Sequence, residues 1–276
     1  MSNFLSRLAV TIVACGIFMS AQSSPVELTI NGGKKVEAVI ELAGGIEADF
    51  TISFENAIGL NENSIGLTAE VIDITDLSIL NRLPSSLNTN LLSAFPMLIT
   101  VEPPSGQGLS FEGLVTVDIH THNLEYTAGT PLRLFKAPLG GQFKDITMTM
   151  GSGSYRARGT TGKFSQFLIL ADLRLPITVV NTKMSNLSSA LSGFSSQMSS
   201  VTYTSLNAKL TEVQQLITQQ NYTQASNKLN EFKQLVEASS GVDIPDVWRS
   251  SRDIDNVAGE LMALANTLRF SLRLIN

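Results

Sequence analysis

The apolar residues of this chain recur at every second position as far as about residue 171, and at every third or fourth from about residue 181. Side chains two apart share a face of a strand, and side chains three or four apart share a face of a helix. A single switch of this kind predicts a strand-rich part followed by a helical part. In the first part Ile46, Ala48, Phe50, Ile52 and Phe54 alternate with Glu47, Asp49, Thr51 and Ser53. Val36, Ala38, Ile40 and Leu42 follow the same rule, and so do Val115, Val117 and Ile119. Each reads as a strand with one wet face, which antiparallel sheets allow. Further strands are expected over 66–74, 97–102, 131–137, 144–150, 154–158 and 164–171. Glycine-rich turns such as Gly44-Gly45 and Gly151-Ser152-Gly153 separate them.

Many short strands with this punctuation predict an all-β, antiparallel, immunoglobulin-like or similar sandwich over residues 24–174. One stretch breaks the alternation. Leu77, Leu80, Leu83, Leu87, Leu91 and Phe95 are spaced by three and four. That predicts a short helical insertion near 77–95, broken at Pro84 and capping an open end of the sandwich.

After an expected linker at 175–182, four apolar stripes predict a four-helix bundle over 183–276. The first is Met184, Leu187, Leu191, Phe194 and Met198; the second is Leu206, Leu210, Val213 and Ile217. The third is Tyr222, Ala225, Leu229, Phe232 and Val236, and the fourth is Ile254, Val257, Leu261, Leu264, Leu268 and Ser271. Breaks fall near Thr202, Asn221 and Ser240-Gly241, and Asp246 fits a helix start. The chain as a whole is then a two-domain α+β protein.

The first 23 residues read as a secretory signal peptide. Arg7 precedes an apolar run at 8–19, and small residues follow at Ser20, Ala21, Ser23 and Ser24. Positive, apolar and small-residue segments in that order are what export signals have in common. The expected cut follows Ala21-Gln22-Ser23, with a cut after Ala21 as the alternative. The run is too short to span a bilayer, which takes about 20 apolar residues, so no transmembrane segment is expected in the mature chain. Ile12-Val13-Ala14-Cys15 also has the residue types of a lipoprotein box, which makes a lipid anchor at Cys15 the alternative. Cys15 is the single cysteine; a chain cut after it has no disulfide and no thiol chemistry. The mature protein is expected in the periplasm or outside the cell.

Charge is uneven along the chain. Acids dominate residues 24–128, where the only bases are Lys34, Lys35 and Arg82. Residues 129–174 carry Arg133, Lys136, Lys144, Arg156, Arg158, Lys163 and Arg174 against Asp145 and Asp172. Either acidic and basic strands neutralise each other, or a basic face awaits an anionic partner. The net charge of −5 and the lack of basic stripes interleaved with aromatics argue against nucleic acid.

Catalytic motifs are missing. Gly108-Leu109-Ser110-Phe111-Glu112-Gly113 misses the G-x-S-x-G elbow by one residue, and the glycine-rich stretch 151–165 fits no phosphate loop. Neither a cofactor nor catalytic residues are expected. The two histidines lie in Asp118-Ile119-His120-Thr121-His122. On a strand Asp118, His120 and His122 would share the outward face, a geometry for Zn²⁺ or Cu²⁺ that lacks a fourth ligand from Glu112, Glu125 or water. A solvated strand face requires the same polar pattern, so no specific metal is expected there.

The segment Leu216-Ile217-Thr218-Gln219-Gln220-Asn221-Tyr222-Thr223-Gln224-Ala225, with Leu229, Phe232, Val236 and Ser240-Gly241, resembles a FIMAH-type helical module of bacterial extracellular proteins. The whole order of export signal, strands and helices resembles uncharacterised secreted bacterial families. Neither resemblance implies an activity. The function expected is a non-catalytic extracytoplasmic binding or structural protein with an envelope, glycan or protein ligand. A secreted hydrolase with an unrecognised carboxylate pair and a periplasmic metal-binding protein are the alternatives.

Overall fold

The computed structural model describes residues 26–275. The expected signal peptide over 1–23, its cleavage site and Cys15 lie outside the described residues.

The chain opens with a meander of β1 (Val26–Asn31), β2 (Lys35–Leu42) and β3 (Ile46–Ile58). Gly44 and Gly45 both take positive φ (84° and 71°) in the turn between β2 and β3, a conformation that glycine adopts without steric penalty. Next come α1 (Glu62–Ile65), β4 (Leu67–Val71), α2 (Leu77–Leu80), β5 (Thr89–Leu91) and β6 (Met97–Val101). The long β7 (Ser110–Glu125) precedes β8 (Leu132–Ala137), β9 (Lys144–Asp145), β10 (Thr147–Gly151), β11 (Ser154–Thr161) and β12 (Gln166–Asp172). The helical part holds α3 (Pro176–Gly193), α4 (Ser200–Thr218), α5 (Tyr222–Ser239), β13 (Val247–Arg249) and α6 (Val257–Arg273).

The strands form two sheets, β1-β2-β3-β7-β11-β10 with β13 also on β7, and β4-β6-β12-β8-β9 with β5 also on β12. All pairings between these strands are antiparallel. These orders do not confirm the immunoglobulin-like arrangement. The two sheets share one core, as a sandwich does. Phe50 and Ile52 of β3 and Val117 and Ile119 of β7 face Leu134 of β8 and Phe167 and Ile169 of β12. The Phe50 and Phe167 rings lie 5.8 Å apart and tilted, an arrangement that adds about 0.5–1.5 kcal/mol beyond area burial.

The stretch expected as a helical insertion differs. Only α2 is helical there, and Leu87 is exposed. Ile72, Ile79 and Leu83 cover the outer face of the second sheet, packing on Phe135, Leu168 and Leu170. Phe167, Leu168, Ile169 and Leu170 are therefore all buried, the continuous apolar run expected of a strand covered on both faces.

Each of the four long helices packs on two others, α3 on α4 and α6, and α5 on α4 and α6. The stripes meet in one core that includes Leu187, Leu210, Phe232 and Leu268. Three features tie this layer to the sheets. Residues 176–182, expected as a linker, form the first turns of α3. Asp246 starts no helix; α6 begins at Val257, capped by Asn256, whose side chain accepts from the Gly259 N–H at 2.7 Å. The segment between holds β13, which pairs with β7 and inserts Trp248 into the sandwich core. The indole stacks on Phe111 at 5.2 Å and meets Phe164 edge-on at 5.2 Å.

α6 is buried nearly all round, which a helix tolerates only between two packed layers. One face carries Leu261, Ala265 and Leu268 into the bundle. The other lies on β10, β11 and β7. Gly162, in the turn after β11, makes this approach possible: a Cβ there would sit 2.5 Å from the Glu260 nitrogen.

Candidate functional site

Two gatherings of polar side chains among the described residues are candidates for a site. One is the outer face of the first sheet; the other is a cleft along α6.

Val115, Val117 and Ile119 are buried, so Asp118, His120 and His122 do point outward. The neighbouring strands decide their partners. Arg158 of β11 lies opposite Asp118 and donates from Nε to its Oδ2 at 3.0 Å. Arg156 Nε stands 3.6 Å from Oδ1. Asp49 of β3 lies opposite His120. Its Oδ2 is 3.1 Å from His120 Nδ1 and 3.2 Å from His122 Nε2. Glu47 Oε2 is 3.6 Å from the other His122 nitrogen, Nδ1. The histidines thus gather around Asp49 and not around Asp118, which is held by arginines. Glu112, near the other end of β7, accepts from Asn56 Nδ2 at 2.9 Å. Partial burial acts to raise the Asp49 pKa, but hydrogen bonds and charge from His122 and His120 outweigh it and hold the carboxyl below its usual value. Asp49 and Glu47 were visible in the sequence only as wet-face residues of a strand. Their approach to the histidines follows from the β3–β7 register.

The cleft lies where the chain crosses between the sheets at Ile146, between β9 and β10. It has a volume of about 560 Å³ and runs between the sheets and the helices α3 and α6. Ile146, Phe194 and Leu264 supply apolar wall, and Lys136, Lys144 and Lys163 supply positive charge. Glu260, in the first turn of α6, is the one carboxylate among the described residues that line it. It accepts from the Gly162 N–H at 2.9 Å and from Lys136 Nζ at 3.2 Å, and Lys163 Nζ is 3.8 Å away. Lys136 also donates to Thr161 Oγ1. Burial pushes the Lys136 pKa down against the opposing pull of Glu260. Burial acts to raise Glu260, but Lys136 and Lys163 outweigh it and hold the carboxyl low. Lys144 is exposed.

Beside the cleft a second buried pair joins the two layers. Lys183 of α3 reaches Asp145 Oδ2 at 2.6 Å, with 4% and 2% of the two side chains exposed. Its ammonium also donates to Thr267 Oγ1 at 2.6 Å and Ser271 Oγ at 2.9 Å, both on α6. Sequence reasoning missed this lysine because its position, next to Met184, reads as an ordinary break in an apolar stripe.

Two antiparallel sheets sharing a core, followed by mostly C-terminal helices, define a sandwich-like α+β protein. No described helix is long and apolar enough to cross a membrane. The chain belongs to a family of unknown function, DUF6689, whose profile matches residues 9–276 and so covers sheets and helices together. That match is consistent with the uncharacterised family expected and does not confirm the FIMAH-type likeness of the helical segment. No curated protein matches the chain.

Proposed function

We propose that the chain is a non-catalytic, extracytoplasmic binding protein whose ligand seat is the cleft along α6. The observation that carries this reading is the composition of the cleft. Its volume of about 560 Å³ falls within the range of small-molecule sites. Its lining combines apolar wall with three lysines opposed by one glutamate, which suits a ligand with an apolar body and an anionic group, such as an acyl-chain component of the envelope. A glycosidase-type mechanism needs two carboxylates, and among the described residues that line the cleft Glu260 is the one carboxylate and is bonded to Lys136. An extracytoplasmic ligand is supported by the sequence reading of Arg7, the apolar run and the small residues as an export signal.

Titration of the mature chain with fluorescently labelled dodecanoate tests the proposal. Saturable one-to-one binding is expected. Lys144→Glu with Lys163→Glu should weaken it at least about tenfold, because each exchange puts a carboxylate beside the ligand's own charge; about 1.4 kcal/mol corresponds to that factor. Binding that does not saturate, or that ignores both exchanges, refutes the cleft as the seat.

A further inference from the structure

We propose that Asp49, His120 and His122 form a binding site for one divalent late transition ion, such as Zn²⁺ or Cu²⁺, on the outer face of the first sheet. The argument begins with spacing. Zn²⁺ binds imidazole nitrogen at about 2.0–2.1 Å and carboxylate oxygen at a similar length, so two ligands of a tetrahedral ion stand about 3.3 Å apart. Asp49 Oδ2 lies 3.1 Å from His120 Nδ1 and 3.2 Å from His122 Nε2, so two edges of such a tetrahedron already exist. All three donor atoms lie within 4.8 Å of one another. The remaining edge, between the two imidazole nitrogens, requires the rings to turn toward each other; their side chains are 27% and 42% exposed.

The scaffold fixes these donors. β3 and β7 pair along most of their length, and Asp49 sits directly across from His120 in that ladder. Ligands on rigid paired strands need little ordering when the ion arrives. Glu47 Oε2, 3.6 Å from His122 Nδ1, stands where a carboxylate orients a ligating imidazole through its second nitrogen. Asp49, Glu47 and Asp118 outnumber the two nearby arginines: Arg158, and Arg156, which lies directly across from His120 and leans toward Asp118. Among the described residues, Asp49 and Glu47 have only the imidazoles as ion-pair partners. Two imidazoles and one carboxylate are the donor types that suit Zn²⁺ and Cu²⁺ rather than Ca²⁺ or Mg²⁺. The fourth position opens to solvent and takes water.

The test uses the full mature chain, stripped with chelator and then given Zn²⁺ alone. One equivalent is expected to survive dialysis. His120→Ala with His122→Ala should reduce retention to background, and Asp49→Ala should weaken binding at least about tenfold. Glu47→Gln should weaken it by about tenfold, the usual size of an orienting partner's effect. Asp118→Asn, outside the donor set, should leave it unchanged. A Cu²⁺ electron paramagnetic resonance spectrum should show coupling to imidazole nitrogen that the double histidine variant loses. All substitutions are at outward-facing positions, and circular dichroism of each variant checks its fold. Absence of retained Zn²⁺ in the parent chain overturns the site. So does retention that the double variant does not affect, or an Asp118→Asn loss as large as that of Asp49→Ala.

Discussion

The outer face of the first sheet and the junction along α6 use the same chemistry and differ in burial. On the outer face Asp118 meets Arg156 and Arg158, whose side chains are half exposed, and Asp49, 46% exposed, meets the two histidines. At the junction Asp145 meets Lys183 out of water, and Glu260 meets Lys136 at the cleft wall with 17% and 10% of the side chains exposed. Exposed pairs contribute about 0–1 kcal/mol, because solvent screens them. Buried pairs carry a desolvation cost that is offset only while every partner stays in place. The open pairs can therefore change without harm to the fold, while the buried pairs lock the helical layer to the sheets. An assembly that reads as two domains in sequence is tied by ions, by α6 and by Trp248.

The largest effect is expected at Lys183. Lys183→Ala leaves Asp145 buried without its cation and should destabilise the protein by about 3–5 kcal/mol, measured by urea denaturation. Pairing Lys183→Met with Asp145→Leu should recover most of that loss, since an apolar replacement of both partners is often neutral. A small effect of the single change would break the contrast between junction and surface.

Glu260→Gln should cost about 1–3 kcal/mol by weakening hydrogen bonds to Lys136 and Gly162. The pH dependence follows from the sign of its shift. The folded pKa of Glu260 lies below the ordinary 4.5, so its contribution is full above that pH and is lost as pH falls through the folded value. Melting temperature should therefore drop below pH 4.5 in the parent, and less steeply in Glu260→Gln.

Tyr155 sharpens the same point without charge. Its hydroxyl is buried in the sandwich core with no hydrogen-bond partner among the described residues, and burial pushes its pKa up. Tyr155→Phe removes that unsatisfied group and should raise stability by about 1 kcal/mol. The smallest effect is expected on the outer face. Arg158→Ala, and in metal-free protein His120→Ala with His122→Ala, should each stay within about 1 kcal/mol by the same denaturation assay.

Much of the architecture was legible because it depends on period alone. Alternation located β2, β3 and the centre of β7, and heptad spacing located α4 to α6 within a few residues but missed the first two turns of α3. β13 was not legible: Val247, Trp248 and Arg249 are too few to show a period, and their strand exists only because β7 offers them an edge. Leu77–Leu80 began a helical spacing that the fold abandoned, because the second sheet's outer face needed apolar cover more than it needed a helix. At the candidate sites, His120 and His122 were found as a same-face pair, but their carboxylate was sought along their own strand, at Asp118. The cleft could not be found at all, since its lysines come from β8, β9 and the turn after β11 and its walls from two helices.

By itself, the sequence determined which faces are wet, where strands give way to helices, and that His120 and His122 point the same way. Those properties follow from backbone geometry within one element, which repeats every two or 3.6 residues whatever lies beside it. The tertiary structure alone decided that Asp49 stands beside the histidines, that Asp118 belongs to the arginines, and that Lys183 finds Asp145. Such partnerships depend on strand register and helix docking. These arise from the burial of Phe50, Val117, Phe167 and the α6 stripe as a whole, and no single segment encodes them.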